Sequence, residues 1–299
     1  VDPFSDAGMS LRPLEGGWSG ETFLAEAGGE RSVVRIYSRP SDRGDAAHEV
    51  DAALLRLVRG LVPVPRVLEV RRADAASGAP ALLVTEHLPG TRGDLLLATL
   101  DEDGLRRAGA ATGRIAATLA GMPQLRAGSF VDGDLTVRPF EADGLPAWVE
   151  DAQARLRGWS AAELTGLRRV AEDAQALLDT VERVSLAHSD LNSKNLLLDP
   201  VSLRVTGVLD WEYAHAGHPF TDLGNLLRLD RHPAYVEAVL GAWTERHETP
   251  PDRALDLARS ADLVALLHLA VRAGENPVAT AADRQLRAVA TTGDVHAVP

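Results

Sequence analysis

The sequence predicts an α+β fold in two lobes, a small β-rich lobe followed by a larger, mainly helical one. Three observations predict it. Apolar β-like runs crowd the first 87 residues. Proline and glycine punctuate the stretch up to "LPGTRGD". From Asp101 onward the apolar residues recur at helical spacing. The boundaries drawn on this basis are residues 1–87 for the first lobe, 88–94 for the connection and 95–299 for the second lobe.

In chain order, "TFLAEAG" and "RSVVRIY" are two strands joined at Gly28-Gly29, a hairpin signal. Asp45 to Arg59 places Val50, Ala53, Leu54, Leu57 and Val58 at helical intervals. "VPVPRVLEV" is extended, because Pro63 and Pro65 remove donors and push their predecessors out of helical geometry. "ALLVTEHL" is a short apolar strand ended by Pro89-Gly90. Beyond the connection, Leu105, Ala108, Thr112, Ile115 and Leu119 line one helix face. Ser160 and Glu163 form a capping-box pattern before a helix that turns Leu164, Leu167, Val170, Ala174, Leu177 and Val181 inward. The tail from Ala234 to about Arg287 is helical again, broken at "HETPPD".

A chain of 299 residues with 45% hydrophobic composition can bury a substantial core. The formal charge of −12 argues against a nucleic-acid or anionic-membrane surface and suits a cationic small molecule. With no cysteine there is no disulfide, no thiol nucleophile and no Cys-based zinc site. No apolar run approaches the roughly 20 residues of a membrane span. The start of the chain lacks the basic-then-apolar layout of a secretory signal, so a cytoplasmic protein is expected.

The chemistry-bearing residues sit in "LAHSDLNSKNLLLDP" and "VTGVLDWEYA". The plain reading is two strands joined by a polar turn. The sharper one is phosphoryl transfer from a nucleotide. That reaction needs a carboxylate at the acceptor hydroxyl, an amide oxygen at a metal, and a second carboxylate to complete the metal's shell. Asp190, Asn195 and Asp210 supply these groups, and the hairpin between the last two brings their loops side by side.

"HSDLNSKN" with "GVLDWE" resembles the aminoglycoside-phosphotransferase and choline-kinase-like family, relatives of protein kinases, over nearly the whole chain. The resemblance implies a bilobal protein-kinase-like fold with a nucleotide-binding first lobe, a hinge at 88–94, and a catalytic and acceptor-binding second lobe. It makes Asp190 the catalytic base, Asn195 and Asp210 ligands of Mg²⁺, and His188 a support of the loop backbone. Ser189 stands where the family usually has glycine, and Asn192 where protein kinases carry a phosphate-contacting lysine. "EGGWSGETF" resembles the family's phosphate-covering loop, with Ser19 and Gly20 toward the nucleotide; the plain alternative is a hairpin turn. Arg35 would grip phosphate oxygens with Glu49 as its partner, or else be a surface arginine on an edge strand. Glu86 and Leu88 would offer backbone groups to the base of ATP or GTP. Asp222 would brace the catalytic loop. Glu212 is open between the metal's surroundings, an acceptor contact and capping, and Asn192 is a further candidate acceptor contact.

The activity implied is an O-phosphotransferase acting on a small hydroxyl compound. An antibiotic of aminoglycoside or cyclic-peptide type, as in a resistance enzyme, is the first choice. A metabolic kinase for a sugar, amino sugar, choline or homoserine is the second. Two other classes compete: a metal hydrolase built on the His188–Asp190 H-x-D pair with His215 and His218 close in sequence, and a nucleotide-binding module without activity. No H-E-x-x-H motif supports the former, and retention of Asp190, Asn195 and Asp210 argues against the latter.

Overall fold

The computed structural model describes residues 9–14, 21–38, 43–141 and 144–299. Its first elements are strands β1 (Met9–Pro13), β2 (Glu21–Ala27) and β3 (Glu30–Tyr37), helix α1 (Ala47–Val58), strands β4 (Val67–Arg71), β5 (Ala81–Glu86) and β6 (Thr91–Arg92), and helix α2 (Gly93–Leu97). Then come α3 (Glu102–Ala120), β7 (Gly128–Phe130), β8 (Val137–Arg138), α4 (Gly144–Ala152) and α5 (Ala161–Leu178). Strands β9 (Ser185–Ala187), β10 (Leu196–Leu198), β11 (Val205–Val208) and β12 (His215–Gly217) lead to helices α6 (Thr221–Leu227), α7 (Pro233–Thr244), α8 (Pro251–Ala270) and α9 (Pro277–Thr292). No helix among the described residues is long and apolar enough to cross a membrane.

The chain forms two compact units. The first holds the described residues up to Ala98 together with Ser129–Arg138 and Lys194–Ala214. Its antiparallel sheet has the order β1-β2-β3-β5-β4. The pleat buries Ala81, Leu83 and Thr85 on one face of β5, the period-two alternation of a half-covered strand. Helix α1 packs on β4 and β5. Its buried stripe is Ala47, Val50, Asp51, Leu54, Leu55 and Val58, whereas Leu57 is exposed. The stripe is thus rotated from the one that the apolar spacing suggests, and it turns an aspartate inward.

The second unit is mainly helical and comprises Thr99–Gly128, Pro139–Ser193 and His215–Pro299. Ser160 and Glu163 form the reciprocal capping box that opens α5. That helix buries Leu167, Val170, Ala171, Ala174 and Leu178 and ends before Val181. Helices α3 and α7 approach closely because Gly109 and Gly113, one turn apart, put no Cβ against the α7 backbone. A Cβ at Gly109 would stand 2.6 Å from the Tyr235 carbonyl oxygen, and one at Gly113 2.6 Å from that of Val239. Between them Thr112 Oγ1 and the Tyr235 hydroxyl share a buried hydrogen bond of 2.9 Å.

Gly113→Ala should therefore destabilise the protein by about 1–3 kcal/mol despite alanine's better helix propensity, because backbone cannot move aside as a side chain can. Chemical denaturation of Gly113→Ala beside Gly104→Ala, whose built Cβ meets nothing nearer than 3.1 Å, checks this. Equal midpoints for the two variants would contradict the close approach.

Candidate active site

In the first unit the β10–β11 hairpin sets two candidate metal ligands at one end. Leu196 pairs with Val208, and the Leu209 N–H donates to the Asn195 carbonyl at 2.8 Å. Asn195 immediately precedes β10 and Asp210 follows β11 by two residues. The hairpin is anchored by Leu196, Leu198 and Val208, all buried. Gly207 leaves room for Leu88, whose Cδ1 would lie 2.9 Å from an added Cβ. Asp210 adopts left-handed geometry, with φ 62° and ψ 68°. The donor set, an amide oxygen and a carboxylate at the same hairpin end, suits a hard cation such as Mg²⁺.

Arg35, on the central strand β3, reaches the same place. Its Nη1 donates to Asp210 Oδ1 at 3.0 Å and its Nη2 to Glu212 Oε2, and Asp51 Oδ2 lies 3.9 Å away. Burial works against the Arg35 charge, but Asp210, Tyr37, Asp51 and Glu212 outweigh it and hold the pKa above the usual arginine value. Asp51, 4% exposed, accepts from the Tyr37 hydroxyl at 2.6 Å and from Arg43. Burial pushes the Tyr37 pKa up and the Asp51 charge pushes it further. Arg43 continues the network, donating to the carbonyls of Trp211 at 3.0 Å and Ala214 at 2.6 Å. Arg43 thus ties helix α1 to the turn that follows Asp210.

The expected Arg35–Glu49 pair is corrected by this geometry. Glu49 is bonded by Arg72, whose side chain is exposed. Residues two apart on a helix point roughly 200° away from each other. With the buried stripe of α1 at positions 47, 51, 54 and 58, the acid facing Arg35 is Asp51. Asp51, Arg43 and Tyr37 escaped the sequence reading. A charged residue inside an apolar helical stripe was the available signal for Asp51. Glu212, left open between three roles, is the second counter-ion of Arg35. Glu86 sits at the end of β5, its N–H donating to the Arg66 carbonyl at 2.9 Å. Ser19 and Gly20 lie outside the described residues.

In the second unit, strand β9 runs into the loop carrying His188, Ser189 and Asp190. Asp222, at the start of α6 and fully buried, accepts from the backbone N–H of His188 at 2.9 Å and of Ser189 at 2.8 Å. His188, also fully buried, accepts the Asp190 N–H on Nδ1 at 3.3 Å. Ser189 has φ 67°, which accounts for the glycine usual at this place in the family. Asn192 Nδ2 donates to Asp190 Oδ1 at 2.7 Å. Burial raises the Asp222 pKa to about 6; the two N–H bonds oppose this and the Asp190 charge adds to it. The three histidines of the metal-hydrolase alternative have separate partners. His188 serves the loop, His215 lies edge-on to Phe140 at 5.4 Å, and His218 hydrogen-bonds the Leu178 carbonyl at 3.3 Å.

The profile of the phosphotransferase enzyme family, APH, matches residues 10–257. Among solved structures, aminoglycoside phosphotransferase APH(4)-Ia is similar at a TM-score of 0.70 and 17% identity, with 97% of each chain covered. A thermostable mutant of that protein, in ternary complex with ADP and hygromycin B, gives 0.68 at 18% identity over 97% of both chains. The GDP complex of a mutant aminoglycoside 2'-phosphotransferase-IIIa gives 0.69 at 18% identity, over 93% of this chain and 90% of that one. At these identities the likeness is one of fold, the mixed α+β, protein-kinase-like fold. Acyl-CoA dehydrogenase family member 10 of Mus musculus is 25% identical over 221 residues, 72% of this chain and 20% of that protein. This chain therefore spans about a fifth of the length of that relative.

Two outcomes are expected. Asp51→Ala should cost about 3–5 kcal/mol, since it strands Arg43 in a buried site, whereas Glu49→Ala should cost about 1 kcal/mol or less as a largely exposed pair. Denaturant unfolding of both variants checks this, and equal losses would contradict the assignment of Asp51. The second concerns pH. The folded pKa of Asp222 lies above its unfolded value, so the folded state favours the protonated acid. Its contribution is fully present below about pH 4 and is lost as pH rises through about 6, amounting to about 3 kcal/mol. The stability difference between wild type and Asp222→Asn should shift against wild type over that window; a difference independent of pH would contradict it.

Proposed function

The chain belongs to the phosphotransferase enzyme family, and we propose that it transfers the γ-phosphate of ATP or GTP to a hydroxyl of a small cationic molecule in the cytoplasm. The first candidate acceptor is an antibiotic of aminoglycoside or cyclic-peptide type. One observation carries the phosphotransfer reading. Asp190 lies on a loop strapped by Asp222, and the same chain segment leads to Asn195 and Asp210 at one end of a hairpin.

In this reading Asp190 accepts the proton of the acceptor hydroxyl as its oxygen bonds to the γ-phosphorus. The bond from that phosphorus to the bridging oxygen breaks, and ADP or GDP leaves with the electron pair. Asn195 and Asp210 would hold Mg²⁺, which neutralises charge on the phosphate oxygens. Arg35 offers those oxygens a planar fork, kept ordered by Asp210 and Glu212. Ser19, Gly20, Glu86 and Leu88 would contact the nucleotide, and Asp51 stands in place of Glu49 as the acid of α1 that faces Arg35. The net charge of −12 supports a cationic acceptor. A metabolic kinase acting on a sugar, amino sugar, choline or homoserine is the second reading.

The test is ADP or GDP release in the presence of Mg²⁺ across aminoglycosides, cyclic-peptide antibiotics, amines and sugars. Turnover with a cationic antibiotic is expected. Asp190→Asn should keep the fold and lower kcat by about 10²–10⁴-fold on the acceptor found. A folded Asp190→Asn variant turning over at the wild-type rate would contradict the role of Asp190, and release with metabolic acceptors alone would favour the second reading.

A further inference from the structure

We propose that Asn192 is a positioning residue for the base, its side-chain amide fixing the plane in which the Asp190 carboxylate meets the acceptor hydroxyl. This role presupposes the phosphotransfer reading above. Asn192 clasps residue 190 at three points. Its Nδ2 donates to Asp190 Oδ1 at 2.7 Å and to the Asp190 carbonyl at 3.3 Å, and its backbone N–H donates to the same carbonyl at 2.9 Å.

The physical need is specific to a carboxylate. The terminal torsion of an aspartate is broad, so the backbone can be held still while the two oxygens sweep through a wide arc. His188 and Asp222 hold the backbone of this loop through bonds to the N–H groups of residues 188, 189 and 190. None of those three bonds touches the carboxylate oxygens of Asp190. The amide of Asn192 does, by occupying Oδ1 in a short hydrogen bond and so directing Oδ2 along one line. Protein kinases place a lysine at the matching position and direct it at phosphate. Here the group is neutral and turned onto the base, so it orients the carboxylate without neutralising it. The nearby cation Arg228 is engaged elsewhere, paired with buried Asp262.

The experiment compares Asn192→Ala, Asn192→Asp and Asn192→His with wild type, using the acceptor that the screen above identifies. Histidine can carry an N–H at Nδ1, as many bonds from Cα as the amide nitrogen of asparagine, so it keeps the donor. Alanine removes it, and aspartate replaces it with an acceptor of like charge. Expected is a fall in kcat of about 10- to 100-fold for Asn192→Ala and Asn192→Asp, with the KM of both substrates unchanged and part of the rate restored in Asn192→His. Thermal midpoints within a few degrees of wild type should accompany these rates. A rise in acceptor KM at unchanged kcat would overturn the inference and make Asn192 an acceptor contact. Unchanged kinetics in Asn192→Ala, or equal losses in all three variants that track thermal midpoint, would also overturn it. Wild type that releases no nucleoside diphosphate with any acceptor overturns the phosphotransfer reading itself, and this inference with it.

Discussion

A carboxylate taken out of water needs partners that stay with it, and in each of the two units one such group braces a polar loop. In the first unit it is Asp51, held by Tyr37 and Arg43 with Arg35 close by. In the second it is Asp222, held by two backbone N–H groups. Leaving either unpaired would cost several kcal/mol, a large part of the stability of an ordinary domain. The partners are therefore fixed in place as firmly as the acids. In the first unit they are Tyr37 and Arg43, and Arg43 in turn holds the carbonyls of the turn after Asp210; in the second they are the backbone N–H groups of the loop ending in Asp190. The groups that chemistry would use are ordered by groups that chemistry would not touch.

The same two places carry strain. Ser189 and Asp210 are both in the left-handed region without being glycine, at about 1–2 kcal/mol each. Such a conformation persists only where its surroundings over-determine it. Ser189 is pinned by the bond from its N–H to Asp222. Asp210 is pinned by its ion pair with Arg35 and by the hairpin behind it. Strain and bracing coincide at the two loops with the densest polar chemistry, as expected where side-chain direction matters more than backbone comfort. Leu135 and Leu203 share the left-handed conformation outside these loops, and Gly109 and Gly113 serve a different end, letting α3 and α7 touch backbone to backbone.

Much of this was legible in the sequence, for a local reason. Strands, caps and helix faces follow from neighbours within a few residues. The spacing of Asp190, Asn195 and Asp210 follows from one loop and one hairpin, so it survives as a pattern. Leu196 to Val208 closes that hairpin by short-range pairing alone. What escaped depends on residues far apart in the chain. Arg35 meets Asp210 across 175 residues and Arg43 meets Trp211 across 168. Nothing local says which acid an arginine will find. The phase of α1 is decided by the sheet it packs on, so the apolar spacing marks Asp51 as a charge beside the stripe without saying that it meets Arg35. Nor could a linear boundary reveal that Ser129–Arg138 and Lys194–Ala214 return to the first unit. The sequence by itself determined which residue types would be available and which would lie close along the chain. Only the tertiary structure decided which buried charges would meet, because the cost of an unpaired charge is settled by the whole surrounding fold.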